Sequence, residues 1–267
     1  MIGKLWRHKY LGLSLGAFWA AAWCGLSLVS AGSPDKGAAS VVGFSTLEPR
    51  RGASRVTARV ELLNAKVKRN GKPDASGVVV WLEAAGAVAP RPVRPRQRML
   101  QRGKRFLPHV LAVERGTEVD FPNDDPFFHN VFSLYNGKRF DLGLYASGES
   151  RPVLFNRPGV AYIFCNIHPQ MSAVVIALET PFYAVSDASG GVVFNDVPEG
   201  RYQLSVWHER TKSEELSMQS RLVTIAPGRS DLGVIRLSEE GYLPKPHPNK
   251  HGQEYDHERN KSPYGRN

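Results

Sequence analysis

From residue 56 to residue 237 the chain consists of short segments with strand patterns, separated by turn residues. Val56 to Leu62 alternates apolar and polar positions, and Gly77 to Glu83 contains an apolar Val-Val-Val-Trp-Leu run. The intervening run Asn70-Gly71-Lys72-Pro73 is a strong turn signal, so both segments are predicted to be strands. Short strands at such spacing indicate an all-β fold built as an antiparallel sandwich or barrel.

Two further regions continue this pattern. After a Pro- and Gly-containing connector, Ala84 to Arg98, predicted strands cover Phe106 to Val113, Glu118 to Phe121, His129 to Leu134, Ser150 to Phe155, Val160 to Phe164 and Ser172 to Leu178. Residues 179–238 add Pro181 to Val185, Val192 to Phe194, Tyr202 to Trp207, Ser220 to Ile225 and Leu232 to Leu237. The central part of the chain contains no convincing helical period.

A loop between two predicted strands contains the spacing Cys-x-x-His-x-x-Met, at Cys165, His168 and Met171. A thiolate, an imidazole and a thioether are soft or borderline donors, which select copper over cations that prefer oxygen. With 8 His and 4 Met in 267 residues, a given cysteine has this spacing by chance roughly once in 2,000. The alternative is structural, because free Cys and Met also fill apolar cores.

A fourth donor has to come from another segment, and His129 is the best candidate. Two His, one Cys and a weak axial Met form the ligand set of blue-copper electron-transfer sites. His109 is the main competitor, but the family resemblance described below implies an ordinary strand at this position, so His109 is assigned a structural or surface role. His208 lies too far along the chain, in a separate segment. Asn130 is either a hydrogen-bond partner that holds the ligand loop or a turn residue at a sheet edge.

The order of motifs over roughly residues 95–178 resembles the plastocyanin/amicyanin family. The matching segments are Phe106 to Pro108, Gly116 to Asn123, His129 to Val131, Pro158-Gly159 and the Cys-His-Met loop. The short loop is most similar to amicyanin, and the whole resembles bacterial proteins labelled methylamine-utilisation or plastocyanin-like. This resemblance implies a Greek-key cupredoxin sandwich with one type 1 copper on His129, Cys165, His168 and Met171. Ala161 and Ile163 depart from the family, which tends to place aromatic residues there.

The run from Asp187 to Leu204 resembles the carboxypeptidase regulatory-like, or transthyretin-like, module. That module normally starts with two strands joined by a turn of the Asn-Gly-Lys-Pro type, and this chain has such strands ahead of the copper region. Residues 55–84 and 179–238 are therefore predicted to form one smaller, discontinuous β-sandwich around a cupredoxin domain at 95–178. In the alternative arrangement, 55–84 adds strands to the cupredoxin. No catalytic carboxypeptidase motif is present.

Residues 1–31 have the pattern of a signal peptide. Lys4, Arg7 and Lys9 precede an uncharged apolar stretch that ends at Val29-Ser30-Ala31, a sequence typical of cleavage sites. A retained membrane anchor is the alternative, because the stretch approaches the length of a spanning helix. Residues 32–54 are predicted to be a linker, and the polar tail 239–267, which contains three histidines, is predicted to be disordered.

Removal of the predicted signal leaves one of the two cysteines, Cys165. A single thiol in an exported protein forms no internal disulfide, and metal ligation explains its presence. The 35 basic residues fall to 32 against 25 acidic ones, which leaves about +7 and favours an acidic redox partner. Nucleic acid is not expected as a partner, because the basic residues are scattered and do not alternate with stacking aromatics.

Three classes of function are compatible with copper: electron transfer by an exported, periplasmic carrier, copper handling without redox turnover, and enzymatic catalysis. Multicopper oxidases need His-x-His pairs, and no two of the eight histidines are two positions apart. The chain is therefore predicted not to be an enzyme, and electron transfer is the preferred function.

Overall fold

The computed structural model describes residues 53–65, 74–84, 95–134, 138–239, 249–251 and 253. The predicted signal peptide, nearly all of the predicted linker, the Asn70 to Pro73 turn and most of the tail lie outside these residues. Within them, no helix has the length and apolar character needed to cross a membrane. The predicted all-β fold class is confirmed, since strands arranged in several sheets make up most of the described chain.

The strands are numbered here in chain order. The first nine are β1 (Ala53–Leu63), β2 (Val79–Ala84), β3 (Gln97–Arg98), β4 (Leu100–Gln101), β5 (Phe106–Leu107), β6 (Val110–Glu114), β7 (Thr117–Pro122), β8 (His129–Ser133) and β9 (Phe140–Tyr145). The others are β10 (Ser150–Phe155), β11 (Gly159–Phe164), β12 (Ser172–Leu178), β13 (Tyr183–Val185), β14 (Gly191–Pro198), β15 (Gly200–Trp207), β16 (Arg221–Ile225) and β17 (Arg229–Ser238). A short helix, α1 (Ser213–Met218), lies between β15 and β16.

Four sheets carry most of the fold. Sheet I has the strand order β14-β1-β17, and sheet II has the order β13-β2-β15-β16. Sheet III has the order β6-β12-β11-β8-β9, and sheet IV has the order β10-β7-β3. Strands β4 and β5 form a separate two-stranded hairpin. The chain thus enters sheets I and II with its first two strands, builds sheets III and IV, and returns to sheets I and II with its last five strands.

Three apolar cores lie between these sheets. One core joins sheets I and II and contains Val80 and Leu82 of β2. A second lies between sheets III and IV and contains Val175 of β12. The third, the middle core, contains Val79 of β2 and Ile176 of β12, so it joins sheet II to sheet III. The sheets therefore stack in the order I, II, III, IV.

The alternating directions of side chains along a strand explain this stacking. In β2, neighbouring residues enter the first and the middle core in turn, and in β12 they enter the middle and the second core in turn. Both strands are consequently apolar along most of their length, as strands covered on both faces are. The continuous apolar runs of these two strands thus mark the two inner layers of the stack.

Several features differ from the sequence predictions. The pairs β1–β17, β6–β12 and β3–β7 are parallel, whereas an antiparallel fold was expected throughout. The predicted strand Phe106 to Val113 is divided into β5 and β6 at Pro108, which has no backbone N–H to donate. Strand β9 was not predicted, and neither was helix α1, whose six residues include no buried one. A helix this short shows no apolar period.

Candidate metal centre

The register of sheet III brings the predicted donors to one end of the sheet. Strands β8 and β11 are antiparallel neighbours in which Phe132 lies opposite Phe164. His129, at the start of β8, therefore lies beside the loop that follows β11. Strand β12 resumes at Ser172, also paired with Phe164, so residues 165–171 form the loop between two neighbouring strands.

Three of the four predicted donors meet at this end of the sheet. The Sγ of Cys165 lies 3.6 Å from Nδ1 of His129 and 3.4 Å from Nδ1 of His168. The two imidazole rings are 4.8 Å apart between centroids. One ligand atom from each residue lies within 4.8 Å of the others, which is a grouping that could hold a metal ion.

The backbone of Met171, the fourth predicted donor, makes two hydrogen bonds that close the ligand loop. Its N–H donates to the carbonyl of His168 at 2.9 Å, and its carbonyl accepts from the N–H of Cys165 at 3.1 Å. The side chain is 1% exposed and belongs to the same apolar core as Cys165. Ala161 and Ile163 of β11 are also buried in this core, so smaller side chains fill the positions at which the family tends to have aromatics.

The Cys165 sulfur is fully buried and surrounded by backbone donors. Burial raises the pKa of its thiol, while the N–H groups of Asn130, Ile167 and His168 act in the opposite direction. The thiol thus keeps its proton in the absence of a metal, and metal binding would release that proton. The same three N–H groups are placed to stabilise the thiolate.

His129 is oriented by a carboxylate that the sequence analysis did not predict. Nε2 of His129 lies 2.8 Å from Oδ2 of Asp125, and both side chains are buried. The N–H groups of Gly103 and Lys104, at the tip of the β4–β5 hairpin, donate to the same carboxylate at 2.6 Å and 2.9 Å. A proton held on Nε2 leaves the Nδ1 lone pair facing Cys165, which is the arrangement in which a carboxylate fixes a metal-binding histidine.

Both imidazoles are neutral at pH 7 by environment. Burial lowers the pKa of His168 to about 4, and the nearby Lys104 ammonium group acts in the same direction. Burial also lowers the pKa of His129, although its bond to Asp125 acts against this shift. Neutral imidazole is the form that ligates metals, so neither side chain has to lose a proton first.

An exposed aromatic ring borders both histidines. The Phe127 ring lies 5.2 Å from the ring of His129 and 5.7 Å from that of His168, between centroids. Nζ of Lys104 lies 5.4 Å from the centre of the same phenyl ring. Ile167 is 37% exposed in the ligand loop. The outer edge of the site is therefore apolar, with a positive charge beside it.

Asn130 touches both the buried sulfur and the edge of the sheet. Its backbone N–H is one of the donors to Cys165, and its Nδ2 donates to Oδ1 of Asp141 at 2.7 Å. Its buried Oδ1 accepts no hydrogen bond from the described residues. Asn130 therefore contacts the ligand sulfur through its main chain, and its side chain joins strand β9.

The competing histidines lie outside the site. His109 donates through Nδ1 to the Ser172 carbonyl at 3.1 Å and pairs through Nε2 with Glu209 at 2.8 Å. His208 is buried, with Nδ1 3.0 Å from Oγ1 of Thr211. Of the three tail histidines, His251 is exposed and the other two lie outside the described residues.

No protein-family model matches the chain, and a search of curated proteins finds no match. Parts of the chain resemble solved structures of copper proteins. A purple cupredoxin from Nitrosopumilus maritimus is 26% identical over 31% of this chain and 99% of its own, with a TM-score of 0.29.

Two other solved structures resemble a comparable share of the chain. A Cu-containing nitrite reductase from Thermus scotoductus is 23% identical over 45% of this chain, with a TM-score of 0.31, and this chain spans 28% of that protein. A reduced Cu(I) form of an amicyanin variant is 19% identical over 36% of this chain and 91% of its own, with a TM-score of 0.30. The similarity is partial in each case.

Proposed function

We propose that this protein is an exported type 1 copper protein that carries single electrons between redox partners. The observation that supports this function most strongly is the group of buried His129, buried Cys165 and partly buried His168, whose ligand atoms lie within 4.8 Å of one another. Two imidazole nitrogens and a thiolate sulfur, with a thioether as axial donor, form the donor set of blue-copper electron-transfer sites. Met171 is proposed as that axial donor.

The residues around the proposed ligands suit one-electron chemistry. Bound copper would supply the Cu(I)/Cu(II) couple. The chain fixes His129 through Asp125 and fixes the sulfur through three backbone N–H groups. Because strands β8, β11 and β12 are hydrogen-bonded neighbours, the ligand positions move little when the charge at the site changes. Burial of His129, Cys165 and Met171 limits the access of water and other exogenous ligands to the site.

The apolar edge of the site is the proposed docking face for a redox partner. Phe127 contacts both histidine rings, Ile167 is exposed in the ligand loop, and Lys104 lies above the phenyl ring. Redox encounters are small and transient, and charge complementarity raises their association rate. An apolar centre with a lysine beside it fits an acidic electron-transfer protein.

Export to the periplasm and a discontinuous domain arrangement belong to the same proposal. The signal-peptide pattern of residues 1–31 supports export. The proposed cupredoxin, residues 95–178, is inserted into a transthyretin-like sandwich made of 55–84 and 179–238. The pairing of β1 with β14 and β17, and of β2 with β13 and β15, supports this arrangement, because the two strands of 55–84 cannot bury a core alone.

The direct experiment is a visible spectrum and a voltammogram of the purified protein loaded with copper. The proposal predicts an intense blue or purple absorption, a stoichiometry of about one copper per chain, and a reversible one-electron wave. Copper that binds without this absorption, or that passes to a chelator faster than it exchanges electrons, contradicts the carrier function. Copper handling without redox turnover would then take its place.

Asp125→Ala should weaken copper binding by about 10- to 100-fold, because losing the carboxylate partner of a metal-binding histidine typically has this effect. The variant leaves Nε2 of His129 without its acceptor and frees the ring to turn. Competition with a chelator of known affinity measures the change. Asp124→Ala is the matched control, because Asp124 is exposed and pairs with Arg102 at the surface. Equal affinities of the two variants would contradict the orienting role.

Ile167→Asp should slow electron exchange with ferricyanide, an anionic oxidant, without changing the absorption spectrum. The new carboxylate lies on the proposed docking face and repels the anion. Stopped-flow oxidation of the reduced protein measures the rate, which should also fall for the unmodified protein as salt rises. Val193→Asp adds the same charge at a 40% exposed position in sheet I. A Val193→Asp rate as slow as that of Ile167→Asp would contradict the location of the face.

A further inference from the structure

Asn249, Lys250 and His251 belong to a compact turn beside the proposed metal site. Oδ1 of Asn249 accepts hydrogen bonds from the N–H groups of His251 at 2.9 Å and Gln253 at 3.0 Å. The N–H of Asn249 donates to the carbonyl of Gln253 at 2.8 Å. These bonds fix the backbone on both sides of Lys250, so the residue is held by local structure within a polar tail.

Lys250 reaches the ligand loop through its main chain. Its backbone N–H donates to Oδ1 of Asn166 at 2.9 Å. Asn166 is the residue that directly follows Cys165 in the ligand loop, and 84 positions separate it from Lys250. The hydrogen bond therefore attaches the C-terminal turn to the loop that carries three of the four proposed ligands.

The side chain of Lys250 reaches the β8–β9 hairpin, which contains the other proposed ligand, His129. Its Nζ lies 2.9 Å from Oδ2 of Asp141, on strand β9. The other carboxylate oxygen of Asp141 accepts from Nδ2 of Asn130 at 2.7 Å and from the N–H of Gly143 at 2.9 Å. Asn130 follows His129 in β8 and donates its own N–H to the Cys165 sulfur. Lys250 thus bridges the ligand loop and the β8–β9 hairpin.

We propose that Lys250 is a positioning residue of the metal site, which clasps the ligand loop 165–171 to the β8–β9 hairpin through its N–H and its ammonium group. This role rests on the proposed copper function for its purpose, since it holds the loop ligands at a fixed separation from His129. The contacts themselves involve only protein groups, so they can be tested in the metal-free chain.

The bridge has a larger expected effect than an isolated surface ion pair. Lys250 and Asp141 are 32% and 38% exposed, and an ion pair between side chains as exposed as these usually contributes little by itself. Here the ion pair acts together with a backbone hydrogen bond from the same residue, and the Asn249 turn has already restricted the conformation of that residue. One typical intramolecular hydrogen bond changes a local opening equilibrium by about three- to tenfold.

The test is hydrogen exchange of backbone amides in the full, metal-free chain. The reporters are the N–H groups of Cys165 and Met171, whose hydrogen bonds close the ligand loop. The reference is the N–H of Val60, which donates to the carbonyl of Gly190 at 2.7 Å, far along the chain. Lys250→Met should speed exchange at both reporters by about three- to tenfold and leave Val60 unchanged. Lys250→Arg should restore most of the protection.

Two further variants make the test specific. Asn166→Ala removes the acceptor of the backbone bond, and it should speed exchange at the same reporters. Lys138→Met removes an equal charge from a lysine that bonds Asn156, and it should have no effect. Lys250→Met values equal to those of Lys138→Met overturn the proposal, and so does an equal rise at Val60, which would mean global destabilisation.

The copper-loaded protein supplies a second measurement. Loss of the clasp should raise the rate at which copper passes to a chelator by a similar factor, with the absorption band retained. If hydrogen exchange in the metal-free chain follows the expected pattern but the copper-treated protein is colourless, only the proposed function is contradicted. A coloured protein whose exchange and copper release are unchanged by Lys250→Met would contradict only the clasp.

Discussion

Cys165→Ser is expected to abolish the intense visible absorption of the copper-loaded protein. In a site of this kind the colour requires a thiolate bound to copper, and a serine hydroxyl is a hard donor that does not replace it. Cys165 is the only cysteine among the described residues, and its Sγ lies within 3.6 Å of Nδ1 of both histidines. No other described side chain offers a thiolate. Absorption spectra at equal copper content measure the loss.

Two companion variants keep this experiment specific. His109→Ala should retain the colour, because the bonds of His109 go to Ser172 and Glu209. Met171→Leu should retain the colour and raise the reduction potential, because a weak axial donor stabilises Cu(II) and tunes the potential. A band that survives the loss of Cys165 would show that the assigned ligand set is wrong.

Residue spacing was sufficient to predict that three of the candidate donors lie in one loop. The separation of three and six positions from Cys165 places His168 and Met171 in one loop, whatever the fold around it. The choice of His129 over His109 depended on the resemblance to a family. The structure supplies the physical reason, since antiparallel pairing of Phe132 with Phe164 brings the start of β8 to the end of β11.

Apart from Asn130, the residues that orient these donors were not predicted, although one of them could have been. Asp125 lies four positions before His129 and bonds it directly, so this carboxylate could have been found from spacing alone. The sequence analysis did not single it out. Lys104 and Lys250 belong to segments distant in sequence, and only the folded chain shows that they lie near the site.

Patterns of period two predicted strands well and their partners poorly. The predicted bounds of β10 and β12 agree with the structure. The parallel pairing of β1 with β17 joins segments more than 170 positions apart, and no local signal encodes it. Strand β9 includes Asp141 and a glycine with positive φ, Gly143, which together conceal its alternation. Strand existence is a local property, whereas pairing is decided by which apolar faces can be covered together.

The middle core gives the largest expected effect on stability. Ile176 is 2% exposed in β12, and it packs in the core that contains Val79 of sheet II. Ile176→Asp buries a carboxylate without a partner at this interface, at a cost of several kcal/mol. The total stability of a domain is about 5–15 kcal/mol. We therefore expect the variant to yield little soluble, folded protein. Val193→Asp, on an exposed face of sheet I, should change stability by about 0.5 kcal/mol or less.

Ile176→Ala tests whether the four sheets unfold together. Its expected cost is about 2–5 kcal/mol, the usual range for removing a buried isoleucine side chain. Copper absorption reports on sheet III and the ligand loop, while the fluorescence of Trp81 and Trp207 reports on sheet II, where both residues pack against the middle core. Because one apolar core joins sheets II and III, both signals should change in a single transition as denaturant is added. The variant should shift the midpoints of both signals equally. Two separated transitions, with only one of them shifted, would show that the sandwich of sheets III and IV and the sandwich of sheets I and II are stable independently.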